Sequence, residues 1–273
     1  KNYPIVLPMN VEVEHLSVLD YDKSKKYRIL LSDKSGNLYM YDKQGKILNG
    51  WSPRKRRFAS KLATPALHIR TGGRDCILAI QANGMVNLIK RNSQMYDGFP
   101  IKLGSMVSSP FALNYGVNRQ KTQVTTITDK GELLTFNLKG KFIKRKQLYR
   151  AIEESRFKLC LNQVNKKDWI IVRQDIRNVS ILDAKGKILF EKTFPSLAKK
   201  EVQYYNFGAN VKVIAISDPT EQQTYLYTAK GELIQHRPIK SASQIALLYF
   251  ESKKTFQLYR NYDKELTVLK FGN

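Results

Sequence analysis

Apolar and polar residues alternate in short runs along most of the chain, and turns containing Gly, Asn or Asp separate the runs. One stretch reads Ala66–Arg70, Cys76–Gln81 and Met85–Lys90, with Asn83-Gly84 between the last two runs. Alternation at every second residue is typical of strands, and Asn-Gly between two such runs is a strong hairpin signal. The pattern predicts antiparallel meanders, with one short helical segment near residues 149–156.

The same strand pattern recurs along the chain. The motif Asp42-Lys43-Gln44-Gly45-Lys46 returns as Asn137–Lys141 and Asp183–Lys187, and in weaker form at Lys90–Gln94 and Thr228–Glu232. Repeats spaced by roughly 20 to 50 residues indicate an array of like structural units. The spacing predicts six units, at about residues 9–51, 62–103, 107–148, 156–194, 200–239, and 242–272 plus 2–7.

Each unit reads as a four-stranded antiparallel sheet, whose strands we call A to D in chain order. A sheet of this size cannot bury both of its faces alone, so like sheets stack face to face around an axis. We therefore predict an all-β fold, a six-bladed β-propeller that forms one domain over residues 1–273.

The two ends of the chain predict how the last blade is completed. Residues 1–7 align with Asp97–Leu103, which lie at the strand D position of the second unit, whereas the sixth unit stops after Gly272 without a strand D. We expect residues 2–7 to pair with the strand at Glu265–Lys270. This pairing would remove two open sheet edges, which otherwise template aggregation.

Two segments resemble blades of known families. Gly36–Trp51 is similar to a blade of the quinoprotein-like propellers, and Asp97-Gly98-Phe99-Pro100 followed by Ser108-Ser109-Pro110 resembles the FG-GAP/VCBS blades of bacterial surface proteins and integrin heads. These families include redox enzymes, assembly factors and adhesion modules, so no single family follows. Because the chain begins at Lys1, we expect a domain of a larger bacterial envelope protein, periplasmic or at the cell envelope, that is monomeric when isolated.

Composition adds a strong positive charge to this picture. The chain has 47 Lys and Arg against 23 Asp and Glu, a net charge of +24, and its 42% hydrophobic content excludes a disordered polyelectrolyte. In a meander, the A–B and C–D turns lie at one edge of the sheet. Cations concentrate in these turns, and the residues predicted to face an anionic partner are Lys25, Lys26, Lys139, Lys141, Lys166, Lys167, Lys185 and Lys187. A second basic cluster, Arg54, Lys55, Arg56 and Arg57, joins the first two units.

This charge supports several interpretations. Turn lysines often serve only to keep a protein soluble and to protect sheet edges. A docking surface would instead bind an acidic protein or an anionic membrane, where each cation near the bilayer contributes ~1 kcal/mol. Nucleic-acid binding ranks below these because base stacking needs aromatic residues among the cations, and only Phe58 and Phe142 stand beside them.

Catalytic chemistry finds little support in the sequence. His15, His68 and His236 belong to different units, and no nucleophile or zinc motif is present. The A–B turns that hold calcium in related blades carry lysines here, which repel a cation. We therefore predict no catalytic residue, no cofactor and no metal, with Cys76 and Cys160 as buried thiols. The alternative is a quinoprotein-like enzyme centred on the propeller channel, for which Glu12 and Glu14 are the nearest carboxylates.

We predict that deletion of residues 1–8 causes aggregation or a large loss of thermal stability, because it would leave the last blade without its outer strand. Thermal melting with light scattering measures both effects. An unchanged melting temperature would count against closure by the N-terminal segment.

Overall fold

A computed structural model describes residues 11–51 and 57–272 of the chain. Within this part, the secondary structure consists of twenty-two β-strands and two single-turn 3₁₀ segments, Tyr21–Lys23 and Glu251–Lys253. The strands form six separate antiparallel sheets, each built from consecutive strands. Neither of these helical turns is long enough or apolar enough to cross a bilayer, and the described residues contain no longer helix. The six sheets confirm the predicted all-β, six-bladed propeller class.

The chain divides into two compact units, and the first, Lys1–Gln147, holds three of the sheets. We number the blades in chain order. Blade 1 contains β1 (Val13–Asp20), β2 (Tyr27–Asp33) and β3 (Leu38–Asp42); blade 2 contains β4 (Leu67–Thr71), β5 (Arg74–Ile80), β6 (Met85–Ile89) and β7 (Ile101–Lys102); blade 3 contains β8 (Ala112–Asn114), β9 (Gln123–Ile127), β10 (Glu132–Asn137) and β11 (Phe142–Gln147).

The second unit, Leu148–Asn273, holds the other three sheets. Blade 4 contains β12 (Arg156–Leu161), β13 (Trp169–Gln174), β14 (Asn178–Leu182) and β15 (Ile188–Thr193); blade 5 contains β16 (Glu201–Asn206), β17 (Lys212–Asp218), β18 (Gln223–Thr228) and β19 (Ile239–Lys240); blade 6 contains β20 (Ala246–Phe250), β21 (Thr255–Tyr262) and β22 (Glu265–Gly272).

The first and last blades each have three strands within the described residues. In blade 1, the position of strand D is marked by a single antiparallel bridge between Asn37 and Arg57. In blade 6, β22 is the last strand, and the predicted pairing of residues 2–7 with it lies outside the described residues. Closure by the N-terminal segment therefore stays a prediction.

Hydrophobic residues on the facing sides of neighbouring blades form the core of each unit. In the first unit, Trp51 and Leu38 of blade 1 pack with Ile77 of blade 2, and a second cluster joins blades 2 and 3 through residues such as Leu88 and Phe136. Corresponding clusters join blades 4 and 5 and blades 5 and 6. Each fully buried large side chain contributes about 1.5–3 kcal/mol, and central strands such as Arg74–Ile80 are buried on both faces because a blade packs on each side of them.

The helix predicted near residues 149–156 is wrong. Residues 148–155 form bends and a turn, and β12 begins at Arg156. The turn is closed by Ser155, whose backbone N–H donates to Ile152 O at 3.2 Å and whose hydroxyl donates to Asp175 at 2.5 Å. A helix of two turns is marginal by itself, so these tertiary bonds decide the conformation.

The C–D turns of blades 1, 3 and 4 share one local structure, set by an Asx side chain and a left-handed glycine. In blade 4, Asp183 Oδ1 accepts hydrogen bonds from the backbone N–H groups of Lys185 and Lys187, both at 2.9 Å. In blade 3, Asn137 accepts from residues 139 and 141 at 3.0 and 3.1 Å. The turn then needs positive φ, which Gly140 supplies at +81°.

The left-handed residue of a C–D turn also contacts the preceding blade. A Cβ atom on Gly140 would overlap the carbonyl oxygen of Gly98, in the Asp-Gly-Phe-Pro segment of blade 2. The indole N–H of Trp51 likewise donates to Arg91 O, beside Ser93, at 2.8 Å. In the second unit, Gly186 packs on Leu148. The repeated motif is therefore a blade-to-blade contact as well as a turn.

We predict that Gly140→Ala destabilises the protein more than Gly104→Ala. The left-handed conformation costs an alanine about 1–2 kcal/mol at either position. Only at Gly140 does the new methyl group meet backbone, since a Cβ on Gly104 would have nothing within 4 Å. Urea unfolding of both variants measures the difference, and equal losses would contradict the role of the turn as a blade contact.

Candidate functional site

The eight lysines predicted to face an anionic partner are all exposed. Lys25, Lys26, Lys139 and Lys141 belong to the first unit, and Lys166, Lys167, Lys185 and Lys187 belong to the second. Within the described residues, no carboxylate forms an ion pair with any of the seven other than Lys185. These seven positive charges are not neutralised by neighbours.

The second basic cluster is described only at its end. Arg54, Lys55 and Arg56 lie outside the described residues, and Arg57 is exposed on the bridge to Asn37. Its role stays a prediction.

The local structure of the C–D turn explains why its lysines point to solvent. The backbone N–H groups of Lys185 and Lys187 are held by Asp183, so the position of each Cα is fixed while the side chain stays exposed. Burial raises the pKa of Asp183, but hydrogen bonds from the backbone of residues 185–187 outweigh it and keep this pKa below its ordinary value. The carboxylate therefore stays ionised and keeps the turn formed at neutral pH.

The acidic B–C turns use their charges within the fold. Asp129 Oδ1 accepts two hydrogen bonds from Ser108, one from its backbone N–H and one from its hydroxyl, both at 2.8 Å. Asp218 accepts from Ser196 at 2.7 Å and pairs with the buried Lys200 at 3.2 Å. These aspartates join a blade to the connection that precedes it. Asp129 and Asp218 of the B–C end are thus bound within the fold, whereas seven of the eight lysines of the A–B and C–D turns have no carboxylate partner among the described residues.

A cluster of ionic groups joins the A–B turns of blades 1 and 2. The carboxylate of Asp75 is fully buried and accepts from His68 Nε2 at 2.9 Å, from Arg70 Nη1 at 2.6 Å and from Arg91. Arg70 and Arg91 also reach Asp22, at 2.9 and 2.5 Å. Burial raises the pKa of Asp75, yet the hydrogen bonds from Arg91, His68 and Arg70 hold this pKa below its ordinary value.

Two adjoining pockets open beside this cluster. The first, of about 480 Å³, is lined by Asp22, Gly73, Arg74, Asp75, Lys90, Arg91, Asn92 and Tyr96. The second, of about 340 Å³, is lined by Thr71, Gly72, Arg74, Asn118, Arg119, Gln120 and Lys139. Both contain A–B and C–D turn residues, so the two kinds of turn meet at one edge of the first unit. Arg74 lies in both pockets, and the second contains no acidic residue.

The second unit also has a cationic cleft. Its volume is about 550 Å³, and its lining combines the apolar Ile239, Leu269 and Phe271 with Arg237, Lys240, Arg260 and Lys270. Arg260 is fixed there by hydrogen bonds to Thr267 at 2.9 Å and to Lys240 O at 2.6 Å. Among the residues that the structure describes, no acidic one lines this cleft.

The groups that catalysis would need are separated or occupied. His68 is bound to Asp75, His15 contacts Leu62 O at 3.4 Å, and His236 is exposed. Within residues 11–51 and 57–272, no group of three His, Cys, Asp or Glu side chains is placed to hold a metal ion. Cys76 and Cys160 are free and buried, as predicted, and burial raises their thiol pKa values to about 12 and about 11.

The structure reveals aromatic and basic residues that sequence reasoning missed. Tyr27 and Tyr115 are 47% and 59% exposed and adjoin the A–B turns of blades 1 and 3. The aromatics predicted beside the cations are instead withdrawn, since Phe58 is buried and Phe142 packs on the core. β11, the outer strand of blade 3, is exposed from Ile143 to Gln147 and adds cations such as Arg145.

Comparisons with solved structures agree on the fold. The chain is similar to virginiamycin B lyase from Staphylococcus aureus, with a TM-score of 0.54 and 9% identity over 96% of this chain and 85% of that chain. It is also similar to a propeller chain of the crystal structure of BBS1N in complex with ARL6DN, with a TM-score of 0.50 and 11% identity over 94% and 78% of the two chains. No family model matches the chain, and no curated protein matches it. Identities this low show a propeller fold alone.

We predict that Asp75→Asn lowers stability by about 1–3 kcal/mol at pH 7, because an amide offers one neutral acceptor oxygen in place of the two charged oxygens that bind His68, Arg70 and Arg91. The folded pKa of Asp75 is lowered. Its contribution is therefore present above the unfolded pKa of about 3.9 and is lost as pH falls through the folded value. Chemical denaturation from pH 7 to pH 3 should show the difference from the wild type shrinking.

The exposed Asp263 provides a control for this prediction. Asp263→Asn should change stability little at any pH. A deficit of Asp75→Asn that stays constant on acidification would contradict the ionic role of the cluster.

Proposed function

We propose that the chain is a non-enzymatic interaction or scaffolding propeller that docks an anionic partner on its A–B and C–D turns. The observation that carries the proposal is that seven exposed lysines on these turns have no carboxylate partner among the described residues. Asp129 and Asp218 at the B–C end are bound within the fold, whereas cations such as Lys141, Lys166 and Lys187 have no carboxylate partner among the described residues.

An acidic protein surface is the partner these turns fit best. The cations stand on turns held by backbone hydrogen bonds, so within each turn the backbone is ordered before binding and association orders only the side chains. Complementary charge speeds encounter and selects partners. That a propeller of similar fold is found in a complex, BBS1N with ARL6DN, supports a protein partner. An anionic membrane surface also presents negative charge, on a flat surface, and is the alternative partner.

Sequence-independent nucleic-acid binding is the second candidate. Tyr27 stands beside Lys25 and Lys26, and Tyr115 precedes the A–B turn that carries Arg119. Exposed aromatics next to cations provide stacking for single-stranded bases. This candidate ranks second because Phe58 is buried and Phe142 packs on the core.

The enzyme alternative rests on less. Virginiamycin B lyase shares the fold at 9% identity, which transfers no residue to this chain. The candidate carboxylates Glu12 and Glu14 form ion pairs with Lys34 at 2.7 Å and with Lys61 at 2.6 Å. Bound cofactor absorbance in the purified protein would revive this alternative.

Three parallel titrations at about 0.15 M salt test the docking proposal. The probes are fluorescein-labelled polyglutamate, phosphatidylserine vesicles and single-stranded DNA. We expect polyglutamate to bind, and the triple variant Lys166→Gln, Lys167→Gln, Lys187→Gln to bind roughly tenfold more weakly, because three rim charges are lost.

The matched control is Lys34→Gln, Lys130→Gln, Lys264→Gln, which removes the same charge from B–C turns. It should bind polyglutamate as the wild type does. Equal weakening of both triple variants, or no binding of any probe by the wild type, would refute docking on the A–B and C–D turns. Tighter binding of DNA or of vesicles would replace the acidic protein with that partner.

A further inference from the structure

The pocket lined by Arg74, Arg119 and Lys139 has the features of an oxyanion site. It lies between the A–B turns of blades 2 and 3 and the C–D turn of blade 3. A Cβ atom on Gly72 would be 3.6 Å from Asn118 Cα, so the two A–B turns lie close together. Three cations and the amides of Asn118 and Gln120 line the pocket, and no acidic residue does.

Arg119 carries an unused hydrogen-bond donor. Its Nη1 atom is buried and has no partner among the described residues. The guanidinium is held 4.3 Å above the ring of Tyr96, and the backbone is held by Leu138 N–H, which donates to Arg119 O at 3.0 Å. A buried, unsatisfied, charged donor is costly, and a bound water or ion is one arrangement that would satisfy it. Arg119 is therefore fixed in place and lacks an acceptor.

Nearby carboxylates do not fill this role. Asp75 and Asp22 lie on the side of the adjoining pocket, where Arg70 and Arg91 bind both of them. Arg74, which is shared by the two pockets, forms no ion pair with any described residue. The positive charge of Arg74, Arg119 and Lys139 is therefore available to a ligand.

We propose that this pocket binds a dianionic phosphoryl group. Three cations from three separate turns match a tetrahedral anion with several acceptor oxygens better than they match a single planar carboxylate. Arginine can bind a phosphate through two parallel hydrogen bonds. The inference rests on the proposed function, since it assigns to one place on the A–B and C–D turns the chemistry of the group that they recognise.

Isothermal titration calorimetry with inorganic phosphate, at constant ionic strength set with chloride, tests the site. We expect measurable binding by the wild type and about tenfold weaker binding by Arg119→Gln, because one charged hydrogen bond is lost. Arg74→Gln and Lys139→Gln change exposed side chains and should weaken binding even if Arg119→Gln fails to fold. Lys130→Gln, in the B–C turn of the same blade, should bind phosphate as the wild type does.

The source of the phosphoryl group is resolved by a second ligand. Glycerol phosphate, a small phosphomonoester, should bind at least as tightly as inorganic phosphate if the site takes the end of a larger molecule. Tighter binding of inorganic phosphate would assign the site to the free ion. Either result supports a phosphoryl site.

Two results would overturn the inference. One is no binding of either ligand by the wild type, and the other is equal affinity in the wild type, Arg74→Gln and Arg119→Gln. The docking proposal fails separately, because its test variant changes Lys166, Lys167 and Lys187, none of which lines the pocket. Phosphate binding without polyglutamate binding would support the phosphoryl site and refute the docking proposal.

Discussion

The close contact between a C–D turn and the blade before it, present at blades 2, 3 and 5, is the constraint on which the rest of the structure depends. At Gly140 and Gly98, two backbones approach so closely that neither residue can carry a Cβ. Trp51 makes the corresponding contact in the first pair of blades through its bond to Arg91 O. Because the turn must have a left-handed residue to form and must lack bulk there to pack, one short motif sets both the end of a sheet and its distance from the next. This spacing then determines how closely the apolar side chains of neighbouring blades pack.

The same motif determines where the positive charge stands. In blades 3 and 4, an Asx side chain accepts hydrogen bonds from the backbone N–H groups of the residues immediately before and after the turn glycine. Both of these residues are lysines in each blade. Their backbones are rigid and their side chains are exposed. At the opposite end, Asp129 and Asp218 are bound by Ser108 and Ser196. These two acids are used within the fold, whereas most lysines of the A–B and C–D turns are left for solvent or a partner, which is the physical basis of the proposed docking.

Much of the fold could be predicted from the sequence because its signals are local. Alternating polarity, Asn83-Gly84 and the recurrent glycine motif indicate strands and turns without reference to distant residues. The prediction of a helix near residue 149 was wrong because a tertiary hydrogen bond from Ser155 to Asp175 overrides the weak local preference for helix. The pocket at Arg119 could not be predicted, since Arg74, Arg119 and Lys139 are brought together by the packing of two blades. The exposure of Tyr27 and Tyr115 was likewise missed, because alternation does not reveal which strand ends lie at an open edge.

The central claim is that anionic partners meet the A–B and C–D turns rather than the B–C turns. Lysine acetylation footprinting by mass spectrometry, with and without polyglutamate, tests it on the unmodified protein in one experiment. The account predicts that Lys25, Lys26, Lys141, Lys166, Lys167 and Lys187 are shielded, while Lys34, Lys130 and Lys264 react as before. Shielding of the B–C lysines, or uniform shielding over both ends of the sheets, would contradict it.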